Sequence, residues 1–378
     1  MNFSLTEDQL AVRDLARKLA REVLAPRARE LDRRHEYPSG ALGELAGLGL
    51  LGVNVPEEYG GAAAGAVAYA AAIMEIAEAC ASTSVVTAVT NMVAEQIVAF
   101  GTEEQKRRFV PLLTSGEAVA GAFALSEPHC GSDAAALTTT ARREGGAFIL
   151  DGEKQWITSG DHAGVLLVWA RTGGPGAKGI SCFIVEGGAK GMTPGRPEHK
   201  MGLSASSTVP LVFENCAVPA DRLLGELGGG FRIAMSALDG GRIGIGAQAV
   251  GVMRACLAAG ARYAKERRAF GKPIAEQEAI RWKLADMATE LAAAEALVFA
   301  AAWLKEQGRP FTREASMAKL FASEAANRAT KEAVQIHGGY GYFDEFSVER
   351  LFRDARVETL YEGTSEVQRI VIARHVLQ

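Results

Sequence analysis

The chain has 378 residues, of which 41 are Lys or Arg and 45 are Asp or Glu, for a formal net charge of −4. That balance is too mild for a polybasic nucleic-acid binder or an acidic tail, so no nucleic-acid partner is expected. Hydrophobic residues at 48% and charged residues at 23% exclude disorder and collagen-like or coiled-coil compositions, and the length suggests two or three domains.

The amino-terminal stretch Met1-Asn2-Phe3-Ser4-Leu5-Thr6-Glu7-Asp8 has no basic region followed by an apolar one, and its early acids speak against a transit peptide, so a cytoplasmic location is expected. From residue 6 to about 116 the pattern is helical. Leu10, Leu15, Leu19 and Val23 recur near a 3.6 period, Thr6 with Gln9 can close a capping box, and Gly101-Thr102-Glu103 reads as a C-cap followed by a new helix start. Pro38, Val53-Asn54-Val55-Pro56 and Gly60-Gly61 break the zone into several helices. The longest weakly polar stretch, 60–74, is shorter than the roughly 18 apolar residues of a membrane span, so none is expected.

Between about 118 and 225 the signal turns to short β-type runs at 138–142, 147–150, 165–170, 180–185 and 211–213. Asp151-Gly152, between Phe148-Ile149-Leu150 and Lys154-Gln155-Trp156-Ile157, is a hairpin signal, and Gly145-Gly146 supplies the preceding bend. From Phe231 helical periodicity returns, notably over 280–307, 313–338 and 365–377. The order is α, β, α, with domains expected at 1–117, 118–226 and 227–378. Cys80, Cys130, Cys182, Cys216 and Cys256 are scattered singly, which indicates neither a disulfide framework nor a zinc site and reads as small core residues.

Five segments bring chemistry-bearing side chains together, and each also admits an ordinary reading. Leu125-Ser126-Glu127-Pro128-His129-Cys130-Gly131-Ser132-Asp133 offers backbone N–H and hydroxyl donors to a polar ring or a pyrophosphate, or is a capped turn. Trp156-Ile157-Thr158-Ser159-Gly160 ends a strand with an aromatic face and hydroxyls suited to a flat heterocycle, although a lone Trp more often joins a core. Arg267-Arg268-Ala269-Phe270-Gly271-Lys272 suits a phosphate and an adenine, or is a solvated basic face. Gln335-Ile336-His337-Gly338-Gly339-Tyr340-Gly341 closes a helix in glycines, for close approach of a ligand or as a C-cap; with no second ligand four residues from His337, a metal is not expected. Glu362 precedes Thr364 and Ser365, which read as N-caps, and is a general base or an acid that complements the helix dipole.

Taken together, the α, β, α order and these segments resemble the acyl-CoA dehydrogenase family over essentially the whole chain. Leu238-Asp239-Gly240-Gly241-Arg242-Ile243-Gly244-Ile245 and Tyr361-Glu362-Gly363-Thr364-Ser365-Glu366-Val367-Gln368-Arg369 resemble its short-chain, butyryl-type branch. The resemblance implies an α+β multidomain fold: an N-terminal α-helical domain, a middle β-barrel or sandwich domain, and a C-terminal four-helix bundle. It implies FAD bound between the β domain and the C-terminal helices of a dimer or dimer of dimers. Phe123, Leu125, Ser126 and Ser132 would line the flavin and its ribityl or pyrophosphate, Trp156 would pack on the isoalloxazine, Thr158 would hydrogen-bond near N5, and Ile157 would belong to the same cofactor-binding set. Arg267, Phe270, Gln335, Gly338 and Gly339 would touch the neighbouring subunit's FAD, while Thr364 and Glu366 return to the first subunit's cofactor.

By the same resemblance Glu362 is the base that removes the Cα proton of an acyl-CoA thioester, with Gly363, Ser132, Asp239 and Arg242 on the substrate side. Burial beside an acyl chain is expected to raise its pKa. Relatives that carry the base just before the arginine of the preceding long helix have no counterpart here, since that position is Gly241. The implied activity is α,β-dehydrogenation of a short- or medium-chain acyl-CoA to the trans-2-enoyl-CoA, in a homotetramer that passes electrons to an electron-transfer flavoprotein. An acyl-CoA oxidase or a flavin monooxygenase on the same fold is the alternative. Three departures from the family pattern stand out: Ser126 for threonine, Glu278 for glutamine and Ser204 for arginine, the last two putting one FAD contact and nearby CoA contacts in doubt.

Overall fold

The computed structural model describes residues 4–377, so the first three residues of the segment read for a targeting signal lie outside it. The chain opens with α1 (Glu7–Leu19), which continues through one π-helical turn into α2 (Ala25–Arg34). The expected capping box forms, with Thr6 Oγ1 accepting from the Gln9 N–H and the Gln9 side chain accepting from the Thr6 N–H. Leu19 is buried, but Leu15 of the expected apolar stripe is 37% exposed. After α3 (Ser39–Gly47), the helices α4 (Gly65–Ala79) and α5 (Ala81–Phe100) are buried on nearly every side, as their small apolar composition allows. A second capping box, Thr102 with Gln105, starts α6 (Glu103–Thr114).

The middle region is one eight-stranded sheet built from β1 (Gly121–Ala124), β2 (Thr140–Glu144), β3 (Ala147–Thr158), β4 (Val165–Arg171), β5 (Ile180–Glu186), β6 (Met192–Pro194), β7 (Thr208–Pro219) and β8 (Leu223–Leu224). The strand order is β6-β7-β3-β2-β4-β5-β8, with β1 parallel to β4. The hairpin expected at Asp151-Gly152 does not form. β3 runs straight through the pair, and the β2–β3 hairpin turns instead at Gly145-Gly146. Between Leu150 and Gly152 the register against β7 shifts, and Gly152 takes φ +145° with Thr139 Cα only 2.7 Å from where a Cβ would stand. The glycine is required by a bulge and a close crossing, not by a turn.

The long helix α7 (Gly230–Glu266) packs on α4 and α5 as well as on α8 (Glu278–Glu306) and α9 (Thr312–His337), so one apolar core runs through both helical regions and onto one face of the sheet. A two-stranded ribbon of β9 (Arg268–Ala269) and β10 (Lys272–Pro273) joins α7 to α8, and α10 (Ser347–Ala355) and α11 (Ser365–Val376) close the bundle. Among the described residues three helices are long and apolar enough to cross a membrane, contrary to the reading of the 60–74 stretch as the longest such segment. α5 and the apolar window of α7 spend that surface inside the protein, each 78% buried, whereas the window in α8 is only 28% buried. All five cysteines are buried and unpaired.

Candidate active site

Glu362 sits on the loop between α10 and α11 in a left-handed conformation, φ +54°, followed by Gly363 at φ +88°. A non-glycine residue holds that region only when its surroundings over-determine it. Here three elements do so. Lys319 Nζ, from α9, donates to the Gly363 carbonyl at 2.7 Å, and Gln368 Nε2, from α11, donates to the carbonyls of Glu362 and Gly363 at 3.3 and 2.9 Å. The Tyr361 hydroxyl donates to Gln248 Oε1 of α7 at 2.8 Å, and Thr364 caps α11 by accepting from the Val367 N–H.

The loop aims the Glu362 side chain at α7. Its Oε2 is shielded from solvent and has no hydrogen-bond partner among the described residues. A Cβ on Gly241 would stand 2.6 Å from that oxygen and 3.2 Å from Met92 Sδ, so the carboxylate occupies space that only a glycine leaves. Burial pushes the Glu362 carboxyl up to about 7, opposed by the charges of Lys319 and Arg242. Burial in turn pushes the Lys319 ammonium down to about 8. Arg242 donates to Asp239 Oδ1 at 2.5 Å, and the Thr312 hydroxyl donates to Asp239 Oδ2 at 2.6 Å, which fixes the pair beside the site.

A second cluster forms where the 125–133 loop meets β3. Glu127 and Lys154 make a fully buried ion pair at 2.8 Å; Lys154 also donates to the Leu125 carbonyl, and Glu127 accepts from the Thr138 and Thr139 N–H groups. These bonds pull Glu127 down to about 2 against burial and pin the loop to the strand. His129 and Cys130 lie close by, but both Glu127 oxygens are already committed. Trp156 is 56% exposed at φ +58° beside a register shift in β3. Ser126 and Thr158 are half-buried, Ser132 is exposed, and Phe123 tilts against Trp169 with ring centroids 4.3 Å apart. The Ile157 side chain is taken up by the sheet core.

Arg267, Gly338 and Gly339 line an open cavity of about 740 Å³ together with Tyr263, His337 and Tyr340, and the Arg267 guanidinium lies over the Tyr340 ring. Phe270 stands at the ribbon tip at φ +52° and 94% exposed, and Gln335 is exposed on α9. Glu366 is exposed in the first turn of α11, where hydrogen bonds to backbone N–H and to Thr364 lower its pKa. Glu278 opens α8 at the surface, and Ser204 is buried next to Asp32.

Lys319, Glu358 and the Glu127–Lys154 pair were not singled out from the sequence. Glu358 is fully buried with neither carboxylate oxygen partnered among the described residues, and burial raises its pKa well above the ordinary value. For Lys154 there was a signal: it falls on the inward side of β3, in step with Phe148 and Leu150, and a charge at a core-facing position demands a buried partner.

A left-handed loop holds a carboxylate whose Oε2 is shielded from solvent against a helical glycine, and a separate cluster on β3 presents an exposed Trp among hydroxyls. The chain belongs to the acyl-CoA dehydrogenase family: the N-terminal domain of that family matches residues 6–117, its middle domain 122–216 and its C-terminal domain 228–377. Members of the family are FAD enzymes. The chain is 46% identical over its whole length to the mitochondrial short-chain specific acyl-CoA dehydrogenase of Mus musculus, covering 92% of it, and 45% identical to the acryloyl-CoA reductase (NADH) of Anaerotignum propionicum, covering 96%. Among solved structures it superposes end to end on butyryl-CoA dehydrogenase from Megasphaera elsdenii, with TM-score 0.98 and 42% identity. A chain in a structure described as the electron transferring flavoprotein of Acidaminococcus fermentans matches equally completely, with TM-score 0.99 and 43% identity.

Proposed function

We propose that the protein dehydrogenates a short-chain acyl-CoA to its trans-2-enoyl-CoA and passes the electrons to an electron-transferring flavoprotein. The observation that carries this reading is the half-buried Glu362 carboxylate, its Oε2 shielded from solvent and unpartnered among the described residues, poised near pKa 7 and facing the gap at Gly241. Such a group takes a proton from a weakly acidic Cα–H at neutral pH. The Glu362 N–H has no acceptor among the described residues and is offered to the thioester oxygen, which raises the acidity of that C–H. Asp239, Arg242 and Gly363 border the substrate side.

The residues around β3 fit the cofactor by their chemistry: an exposed indole at Trp156, flanked by the hydroxyls of Ser126 and Thr158, which have no hydrogen-bond partner among the described residues. With Phe123, Leu125 and Ser132 they would hold the flavin, Ile157, whose side chain is spent in the sheet core, being left with only its backbone for that role, and bound FAD supplies the acceptor for the hydride from Cβ. Arg267, Phe270, Gln335, Gly338 and Gly339 would serve a neighbouring subunit's FAD, with Thr364 and Glu366 on the first. The open apolar flank of α8, where Trp282 is 61% and Trp303 48% exposed, supports a homotetramer whose sites are shared between subunits. Five free thiols support a reducing, cytoplasmic setting.

The test is anaerobic mixing of the purified flavoprotein with acyl-CoAs from butyryl to palmitoyl, isobutyryl-CoA included, while flavin bleaching is followed. Rapid bleaching by short chains, lost in Glu362→Gln, is expected; no bleaching by any thioester would overturn the reading. The reductase relative favours one second reading, reduction of an enoyl-CoA with Glu362 returning the α proton, which turnover of acryloyl-CoA with an electron-donating flavoprotein would reveal. Peroxide released during aerobic turnover would favour the oxidase alternative.

A further inference from the structure

Gly241 and Gly244 lie on one face of α7, a turn apart, so their side-chain positions are about 5 to 6 Å from each other. At Gly241 a Cβ would meet Glu362 and Met92; at Gly244 it would meet the Tyr69 hydroxyl at 2.6 Å and Ala88 Cβ at 3.5 Å. Met92 and Ala88 are themselves one turn apart on α5. The glycine row of α7 and this row of α5 therefore run side by side, with Glu362 at one end and Tyr69 at the other. Tyr69 rises from the middle of α4, within an unbroken buried run, and is only 4% exposed. Its hydroxyl makes no hydrogen bond among the described residues, and burial together with the charges of Glu95 and Glu362 raises its pKa.

We infer that Tyr69 is the floor of the acyl pocket and sets the chain length the enzyme accepts. An acyl group with its Cα at Glu362 has one helical turn of glycine-lined space before it meets the ring, which suits a butyryl chain and stops an octanoyl one. Tyr69 cannot swing aside without entering the packed interior around α4, where displaced volume has nowhere to go. This inference rests on the acyl-CoA dehydrogenase reading above and narrows its substrate class.

The test has a binding arm and a turnover arm, both on the FAD-loaded protein. Calorimetry on the wild type compares crotonyl-CoA with 2-octenoyl-CoA, and the longer ligand is expected to bind at least about tenfold more weakly. Anaerobic flavin reduction then gives the ratio of kcat/KM for octanoyl-CoA over butyryl-CoA. Tyr69→Ala, or Tyr69→Val should the smaller residue fail to fold, is expected to raise that ratio at least about tenfold, whereas Tyr69→Phe keeps the ring and leaves it near the wild-type value. Equal wild-type affinity for the two enoyl-CoAs, or an unchanged ratio in a folded, flavin-loaded Ala or Val variant, would overturn the assignment. If no thioester reduces the wild-type flavin, the catalytic reading falls, and the same calorimetry repeated on the Ala or Val variant still decides whether Tyr69 limits chain length.

Discussion

The Glu362 carboxylate and the bare Cα of Gly241 share one space: Oε2 stands 2.6 Å from the point a Cβ at position 241 would occupy. α7 carries Gly240-Gly241 within its length, at about 1 kcal/mol each in helix propensity relative to Ala, and this contact explains the second of them. Gly241→Ala is therefore expected to leave the fold intact while displacing the carboxylate, slowing flavin reduction by butyryl-CoA about a hundredfold. Stopped-flow absorbance under anaerobic conditions measures this. A rate close to wild type would mean that the carboxylate does not work against α7.

Burial holds the Glu362 carboxyl up at about 7, and a base must be ionised, so flavin reduction should rise with pH through about 7 and level off above it. Stability runs the other way. Because the folded-state pKa lies above the unfolded one, the folded chain keeps a proton that the unfolded chain releases. The associated stability is full below the ordinary carboxylate range and is lost as pH climbs through about 7, on the order of 3 kcal/mol. Glu362→Gln should remove that loss, which urea unfolding at pH 5 and pH 8 would register. Identical losses in wild type and variant would assign the effect to another group.

What the chain discloses by itself depends on how local each determinant is. The helix starts at Thr6 and Thr364 are legible because cap and donor lie three residues apart. Glu362 is legible through its motif, and its expected rise in pKa is what the structure shows. The course of β3 is not legible, since Asp151-Gly152 has hairpin composition and only β7 and Thr139 reveal the bulge. Lys319 is hidden for the same reason: in an alanine-rich helix it looks solvent-directed until the Gly363 carbonyl, 44 residues on, is placed at its Nζ.

Lys319 acts on Glu362 twice, by holding the Gly363 carbonyl at 2.7 Å and by lowering the pKa of the carboxyl through its charge. Lys319→Met keeps most of the volume and removes both effects. The midpoint of the pH profile for flavin reduction is expected to move up by about 1 unit, with kcat at neutral pH reduced and KM for the acyl-CoA little changed. If kcat falls while the midpoint stays put, Lys319 works only through the backbone of the loop.

The Glu127–Lys154 pair predicts how cofactor retention depends on a contact remote from Glu362 in sequence. Glu127 is held at about 2, so its stabilising contribution is present above the ordinary carboxylate range and is lost as pH falls toward 2. Glu127→Gln leaves Lys154 charged and buried without its counter-ion, a change that typically costs 3 to 5 kcal/mol, roughly enough to lower the melting temperature by many degrees. The 125–133 loop should loosen from β3, and the purified variant should retain less FAD per chain than wild type, read from the ratio of flavin to protein absorbance. Pairing the change with Lys154→Met removes the orphaned charge and should restore a large part of the melting temperature. If the double variant melts as low as Glu127→Gln alone, the hydrogen bonds from Thr138 and Thr139, rather than the ion pair, are what pin the loop.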